Sequence, residues 1–177
     1  MKSVLISIQP QWCELIASGK KTVEVRKTKP KLETPFKCYI YCTNKKPYLV
    51  WGDVFRGDWE TEITHLSGYN RKAAEEIWDV FNGNVMGEFV CDSIESFTTD
   101  YRRNEEQTER ISRQSCLSMC DLMEYELNSH CLYGWHISDL VIYDNPKELS
   151  EFKHCGVNYH FNPPITRPPQ SWCYVEE

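Results

Sequence analysis

Residues 4–26 leave the chain few ways to begin folding. Val4 to Ile8 is an apolar run rich in β-branched residues and reads as a buried strand. Pro10 ends that strand and suits the first turn of a helix. Trp12, Leu15 and Ile16 then share one helical face, and Gly19 is a natural C-terminal stop. Residues 22–27 alternate, with Val23 and Val25 on one side and Thr22, Glu24 and Arg26 on the other. A strand, a short helix and a second strand thus meet at a helix-to-strand corner. The run Gly19-Lys20-Lys21-Thr22-Val23-Glu24-Val25-Arg26 packs cations and a carboxylate into that corner.

The remaining pattern is mixed. Residues 36–43 and 85–94 read as strands, and 133–143 is a strong strand candidate ending at Asp144-Asn145-Pro146. Ala73, Ala74, Ile77, Trp78 and Phe81 form the apolar stripe of a helix over 70–81, closed by Asn82-Gly83-Asn84. Residues 45–60 read as loops, 101–115 as a polar surface loop or solvated helix, 116–127 as a helix with an imperfect stripe, and 147–152 as a short helix. At least five strands with interspersed helices, no regular βαβ period and no Gly-rich phosphate loop argue against a dinucleotide-binding fold. The reading is α+β, a small mixed β-barrel with helices packed against it.

The chain has 177 residues, enough for one compact domain with a real core. Its net charge of -6 speaks against non-specific coating of nucleic acid, but the average hides an asymmetry. Residues 19–46 hold nine Lys or Arg against two Glu, so they carry +7 and the rest carries -13. A basic segment on an acidic body can form a local anion patch, or simply a solvated face. Nine cysteines, an odd number, with no secretory leader, point to a reducing cytoplasm. The apolar run at residues 4–8 is far too short to span a membrane.

On one strand face, Glu24 and Arg26 lie about 7 Å apart. Arg offers a planar fork for phosphate or a base edge, and Lys a point charge. Glu accepts from an exocyclic amine or a ribose hydroxyl. These residues suit a nucleotide site, or else a structural ion pair holding the corner. Trp12 could stack a base, although in line with Leu15 and Ile16 it also suits the core. Lys27, Lys29, Lys31, Lys37, Lys45 and Lys46 could track a phosphate backbone or form a charged surface. Metal spacing is weak: Cys38 and Cys42, like Cys116 and Cys120, have three residues between them, and no cofactor motif is present.

The opening Ile8-Gln9-Pro10, the Trp12 helix and Gly19-x-Lys21-Thr22-x-Glu24-x-Arg26 resemble the start of an ASCH domain, a member of the PUA-like superfamily of β-barrels. Residues 86–92 and 133–140 resemble later strands of that barrel. The likeness covers most of the first hundred residues and resumes near Tyr133. Residues 101–131 and the tail from 155 to 177 look like additions to a single domain. The resemblance implies a cleft between the barrel and the first helix that takes RNA or another nucleic acid. Its ligand residues would be Lys21, Thr22, Glu24, Arg26 and Trp12, with Lys27, Lys29, Lys45 and Lys46 on phosphates.

Some relatives resemble amidohydrolases that deacylate a modified cytidine, using a Lys and a Thr on this strand and a distant Glu. Lys21 matches the Lys, but Glu24 stands where the Thr would be, and a carboxylate cannot act as the hydroxyl nucleophile. Thr22 sits one strand repeat away. Glu75 and Glu76 are the nearest positions for the distant Glu. Three functions follow as expectations. The first is a nucleic-acid-binding module. The second is a hydrolase of modified nucleosides or RNA, with Lys21 and Glu24 in proton transfer. The third is a protein-interaction adaptor using the acidic body and the aromatic tail around Trp172. No cofactor, metal or membrane enters any of them.

Overall fold

The structure is a computed structural model and describes residues 2–44, 71–100, 104–155 and 162–176. Expectations for residues 45–60, and for Lys45 and Lys46, fall outside these. In chain order the elements are β1 (Lys2–Ile8), α1 (Pro10–Ala17), β2 (Val23–Arg26), β3 (Phe36–Cys42), α2 (Arg71–Phe81), β4 (Val85–Cys91) and β5 (Ile94–Phe97). There follow α3 (Glu105–Ser115), α4 (Met119–Glu126), β6 (Leu132–His136), β7 (Ser138–Lys147), β8 (Lys153–His154) and β9 (Trp172–Glu176).

The opening follows its sequence pattern closely. Pro10 begins α1, Gly19 takes a φ of +74°, and its N–H donates to Ile16 O at 2.9 Å. That left-handed stop is what glycine permits at least cost. Val23 and Val25 are buried with Phe97, Ile111, Leu122 and Leu132, while Glu24 and Arg26 face the other way.

The strands form two sheets. Six strands run in the order β7-β4-β3-β1-β9-β8, and three in the order β2-β6-β5. β1 pairs parallel to β3 and antiparallel to β9. Between the sheets lies the main core: Val4, Ile6 and Ile8, Cys38 and Ile40, Met86 and Phe89, and Trp135 with Ile137. The expectation of a barrel is corrected accordingly. Among the described residues, no continuous hydrogen-bonded circuit closes a barrel. Two strand candidates bend where one long strand is expected. Residues 85–97 break at Asp92-Ser93, and 132–147 break at Ile137, so each half joins a different sheet. Such sheet-switching corners let two twisted sheets enclose one core.

Three further segments differ from the pattern. Residues 101–115 are not merely a solvated segment: α3 is capped by Asn104, whose side chain accepts from Gln107 N–H, and buries Thr108, Ile111 and Ser115. Their spacing of i, i+3 and i+7 gives one narrow stripe, easily overlooked among charged residues. Residues 147–152 form only a single 3-10 turn at Leu149–Glu151, because β7 continues to Lys147. The aromatic tail docks as a strand, with β9 between β1 and β8.

Candidate functional site

The corner predicted from sequence is held by three elements. The Lys21 N–H donates to Leu15 O and the Thr22 N–H to Gln114 O, both at 2.9 Å, which ties the end of α1 and the end of α3 to the start of β2. The Lys21 ammonium donates to Ser115 O at 2.7 Å. The last carbonyls of a helix lack partners within the helix and carry the negative end of its dipole, so a lysine there satisfies both. The same ammonium lies 3.3 Å from Glu24 Oε2. Glu24 Oε1 in turn accepts from Arg26 Nη2 at 2.9 Å. Arg26 Nη2 also donates to Ser7 O at 2.7 Å, at the end of β1, and Nη1 lies 3.5 Å from Ser171 Oγ just before β9. Lys21, Glu24 and Arg26 are all buried.

Lys21, Glu24 and Arg26 are therefore bonded to one another, and they also line an open cleft of about 590 Å³. One wall is Ser7, Ile8, Gln9 and Trp12 from the end of β1 and the start of α1. A second is Leu117, Asp121, Glu124 and Tyr125, and a third is Pro168, Pro169 and Gln170. The Lys21 ammonium stands 5.5 Å from the Trp12 ring centroid. Trp12 is half-buried against the core and also lines the cleft. Lys27 lies at the rim, 5.1 Å from the Tyr125 ring centroid and 3.0 Å from Leu127 O. Burial raises the Tyr125 hydroxyl above its ordinary pKa.

Not every predicted residue converges here. Thr22 does not line the cleft; its carbonyl accepts from Ile137 N–H. Lys29 lies outside it, 5.5 Å from the Tyr133 ring centroid. Glu75 and Glu76 are exposed on α2 and do not line it either. Trp172 is engaged inside the fold: its ring packs 6.0 Å from that of Trp135, and its Nε1 donates to Thr28 Oγ1 at 3.0 Å. Conversely, Asp121, Glu124 and Tyr125 arrive from the segment that looked like an addition. The imperfect stripe read over 116–127 includes Leu122, which is buried, but only tertiary packing sets α4 beside Lys21. The Thr43 hydroxyl, at the end of β3, is another lining group; its Oγ1 is buried without a hydrogen-bond partner among the described residues.

The lining carries Lys21, Arg26 and Lys27 against Glu24, Asp121 and Glu124. Its cations are balanced, and the deepest two are already hydrogen-bonded. This composition suits a ligand with both donors and acceptors better than a bare polyanion.

The fold is a two-sheet α+β domain with its cleft at the corner between α1 and β2. The model of the ASCH domain family matches residues 6–158, and the chain belongs to that family. No curated protein sequence matches the chain. Among solved structures, the ASCH protein of Zymomonas mobilis is similar, with a TM-score of 0.60 and 18% identity, covering 99% of this chain and 88% of that one. A tyrosine-to-phenylalanine variant of that protein gives a TM-score of 0.59 at 18% identity, covering 100% and 92%. A serine-to-alanine variant gives 0.60 at 18%, covering 99% and 89%. At that identity the likeness speaks for the fold. Among the described residues, no helix is long and apolar enough to cross a membrane.

Proposed function

We propose that the protein binds RNA, taking a single nucleotide unit into the cleft. The observation that carries this reading is the placing of two aromatic rings, Trp12 and Tyr125, around a floor of hydrogen-bonded charged groups. A base stacks on an aromatic face for about 1–3 kcal/mol. Glu24, Asp121 and Glu124 accept from exocyclic amines or ribose hydroxyls, and Lys27 at the rim meets a phosphate. Lys21 and Arg26 act mainly by holding Glu24 and the three converging elements in register. The test is fluorescence anisotropy with a short labelled RNA at low salt. Wild type should bind, weakening as salt rises, and Lys27→Ala should reduce the dependence of log affinity on log salt by about 0.7. Absence of binding at low salt would remove the reading.

The 3.3 Å approach of the Lys21 ammonium to Glu24 supports a second reading, hydrolysis of a modified nucleoside or of RNA with these two groups in proton transfer. Incubation with acylated cytidines and short RNAs decides it. Turnover that survives Glu24→Gln unchanged, or no turnover at all, counts against it.

A further inference from the structure

We propose that the outward face of α4 docks a basic amphipathic helix of another protein. Docking there does not depend on what the cleft holds. Among the described residues, five large apolar side chains are exposed, and three of them, Met123, Tyr125 and Leu127, fall within five positions. Tyr125 lines the cleft, whereas Met123 and Leu127 do not, and they are 54% and 63% exposed. At about 100° per residue, exposed Cys120 joins Met123 and Leu127 in one stripe, and buried Leu122 lies on the opposite side. A surface helix normally turns polar residues outward, so a helix apolar on both sides has a face left over once the core is packed. The spacing of Cys120, Met123 and Leu127, i, i+3 and i+7, is that of a seam between two helices.

The face is held at both ends. Ser118 and Asp121 cap each other at the start of α4, with Ser118 N–H donating to Asp121 Oδ2 at 3.0 Å and Asp121 N–H to Ser118 Oγ at 3.1 Å. At the other end Glu126 Oε2 accepts from Thr99 N–H at 2.9 Å, and Lys27 Nζ donates to Leu127 O at 3.0 Å. A helix so fixed presents its side chains with little ordering cost on binding. The charges beside the stripe select the partner. Residues 114–131 contain Asp121, Glu124 and Glu126 and neither Lys nor Arg. Helical spacing sets Asp121 and Glu124 on the cleft side of the stripe and Glu126 on the other, with Lys27 at the Leu127 end. A second copy of α4 would set these carboxylates against themselves, and they repel nucleic acid and an anionic membrane alike. A helix whose apolar stripe is flanked by Lys or Arg meets apolar surface with apolar surface and carboxylates with cations.

The probe is a labelled peptide of about 18 residues, five helical turns, made of leucine and lysine with the leucines at spacings of three and four. Its binding to the full chain is followed by fluorescence anisotropy at about 0.15 M salt, where distant charges are screened. Met123→Ala/Leu127→Ala should weaken binding at least about tenfold, and Glu124→Gln about two- to fivefold. Val80→Ala, at a 56% exposed apolar position on acidic α2, should stay within about twofold of wild type. A peptide of the same composition in scrambled order should bind at least about tenfold more weakly. Thermal melts check that each variant is folded, and Leu127→Lys, which places a cation in the stripe, replaces the double variant should that one unfold. No binding to wild type, equal binding of the scrambled peptide, or an equal loss in Val80→Ala overturns the proposal. So does a wild-type dimer in sedimentation that the double variant abolishes, since a second copy would then hold the face.

Discussion

The Lys21 ammonium donates to the carbonyl of Ser115, ninety-four positions further along the chain, at 2.7 Å. With the bond from Thr22 N–H to Gln114 O, it closes α3 onto the corner between α1 and β2, and the same ammonium stands 3.3 Å from Glu24. Removing it leaves Glu24 with Arg26 as its cation and the Ser115 carbonyl short of its donor. Lys21→Met should therefore destabilise the fold by about 1–3 kcal/mol, read as a lower urea midpoint with little change in slope. An unchanged midpoint would mean that the pairing contributes nothing net to stability.

Gly87 lies where β4 meets β7. A Cβ there would stand 2.4 Å from Val141 O and 3.2 Å from Ile142 Cα, both backbone atoms that cannot swing aside. Gly87→Ala should cost about 1–3 kcal/mol and lower the melting temperature, although alanine normally favours order over glycine. A melting temperature at or above wild type would show that the two strands separate easily.

Tyr125 is 37% exposed and contributes little to the core. Tyr125→Ala should leave the thermal melt close to wild type, yet weaken RNA binding by roughly 5- to 150-fold, the equivalent of about 1–3 kcal/mol of stacking. Tyr125→Phe should retain most of the affinity, because the ring rather than the hydroxyl does the stacking. Equal loss in both variants would point to the hydroxyl instead.

Several carboxylates make stability depend on pH. Burial pushes Glu88 up, but hydrogen bonds from Tyr143 and Lys37 outweigh it and hold Glu88 below the ordinary glutamate range. The Arg110 guanidinium, through its hydrogen bonds, likewise holds Glu95 down. A carboxyl that is more acidic folded than unfolded stabilises the fold above its unfolded pKa, and that contribution is lost as pH falls through the folded value. Stability should thus fall on acidification below the ordinary glutamate range. Glu88→Gln should flatten that fall, as measured by urea melts across the acid range. A slope matching wild type would remove Glu88 from the explanation.

The thiols should separate into reactive and inert groups. Burial raises Cys13 and Cys38, pushes Cys91 up to about 12 and lifts Cys173 to about 11, so few of these are thiolates near neutrality. Cys120 is exposed on α4. Under native conditions iodoacetamide should label Cys120 first, and Cys13, Cys38, Cys42 and Cys91 only after denaturation, as peptide mapping would show. Early labelling of Cys38 or Cys91 would mean that the sheet opens readily.

By itself, the sequence determined the local structure of the opening and the face of β2. Pro10 and Gly19 restrict the backbone directly, and the two-residue alternation of a strand separates Val23 and Val25 from Glu24 and Arg26 whatever lies around them. Cys38 and Cys42, four residues apart, fall by the same alternation on one face of β3, and both are buried. Only the tertiary structure decided that Lys21 and Arg26 spend their hydrogen bonds on Ser115 and Ser7, or that Asp121 and Tyr125 share a cleft with them. It also decided that the strand candidates bend at Asp92-Ser93 and Ile137, giving two sheets where the pattern suggested one closed barrel. Local pattern is set by nearest neighbours along the backbone. Partners many positions apart meet only once burial of the shared core has fixed how the sheets and helices pack, and no spacing in the sequence encodes that distance.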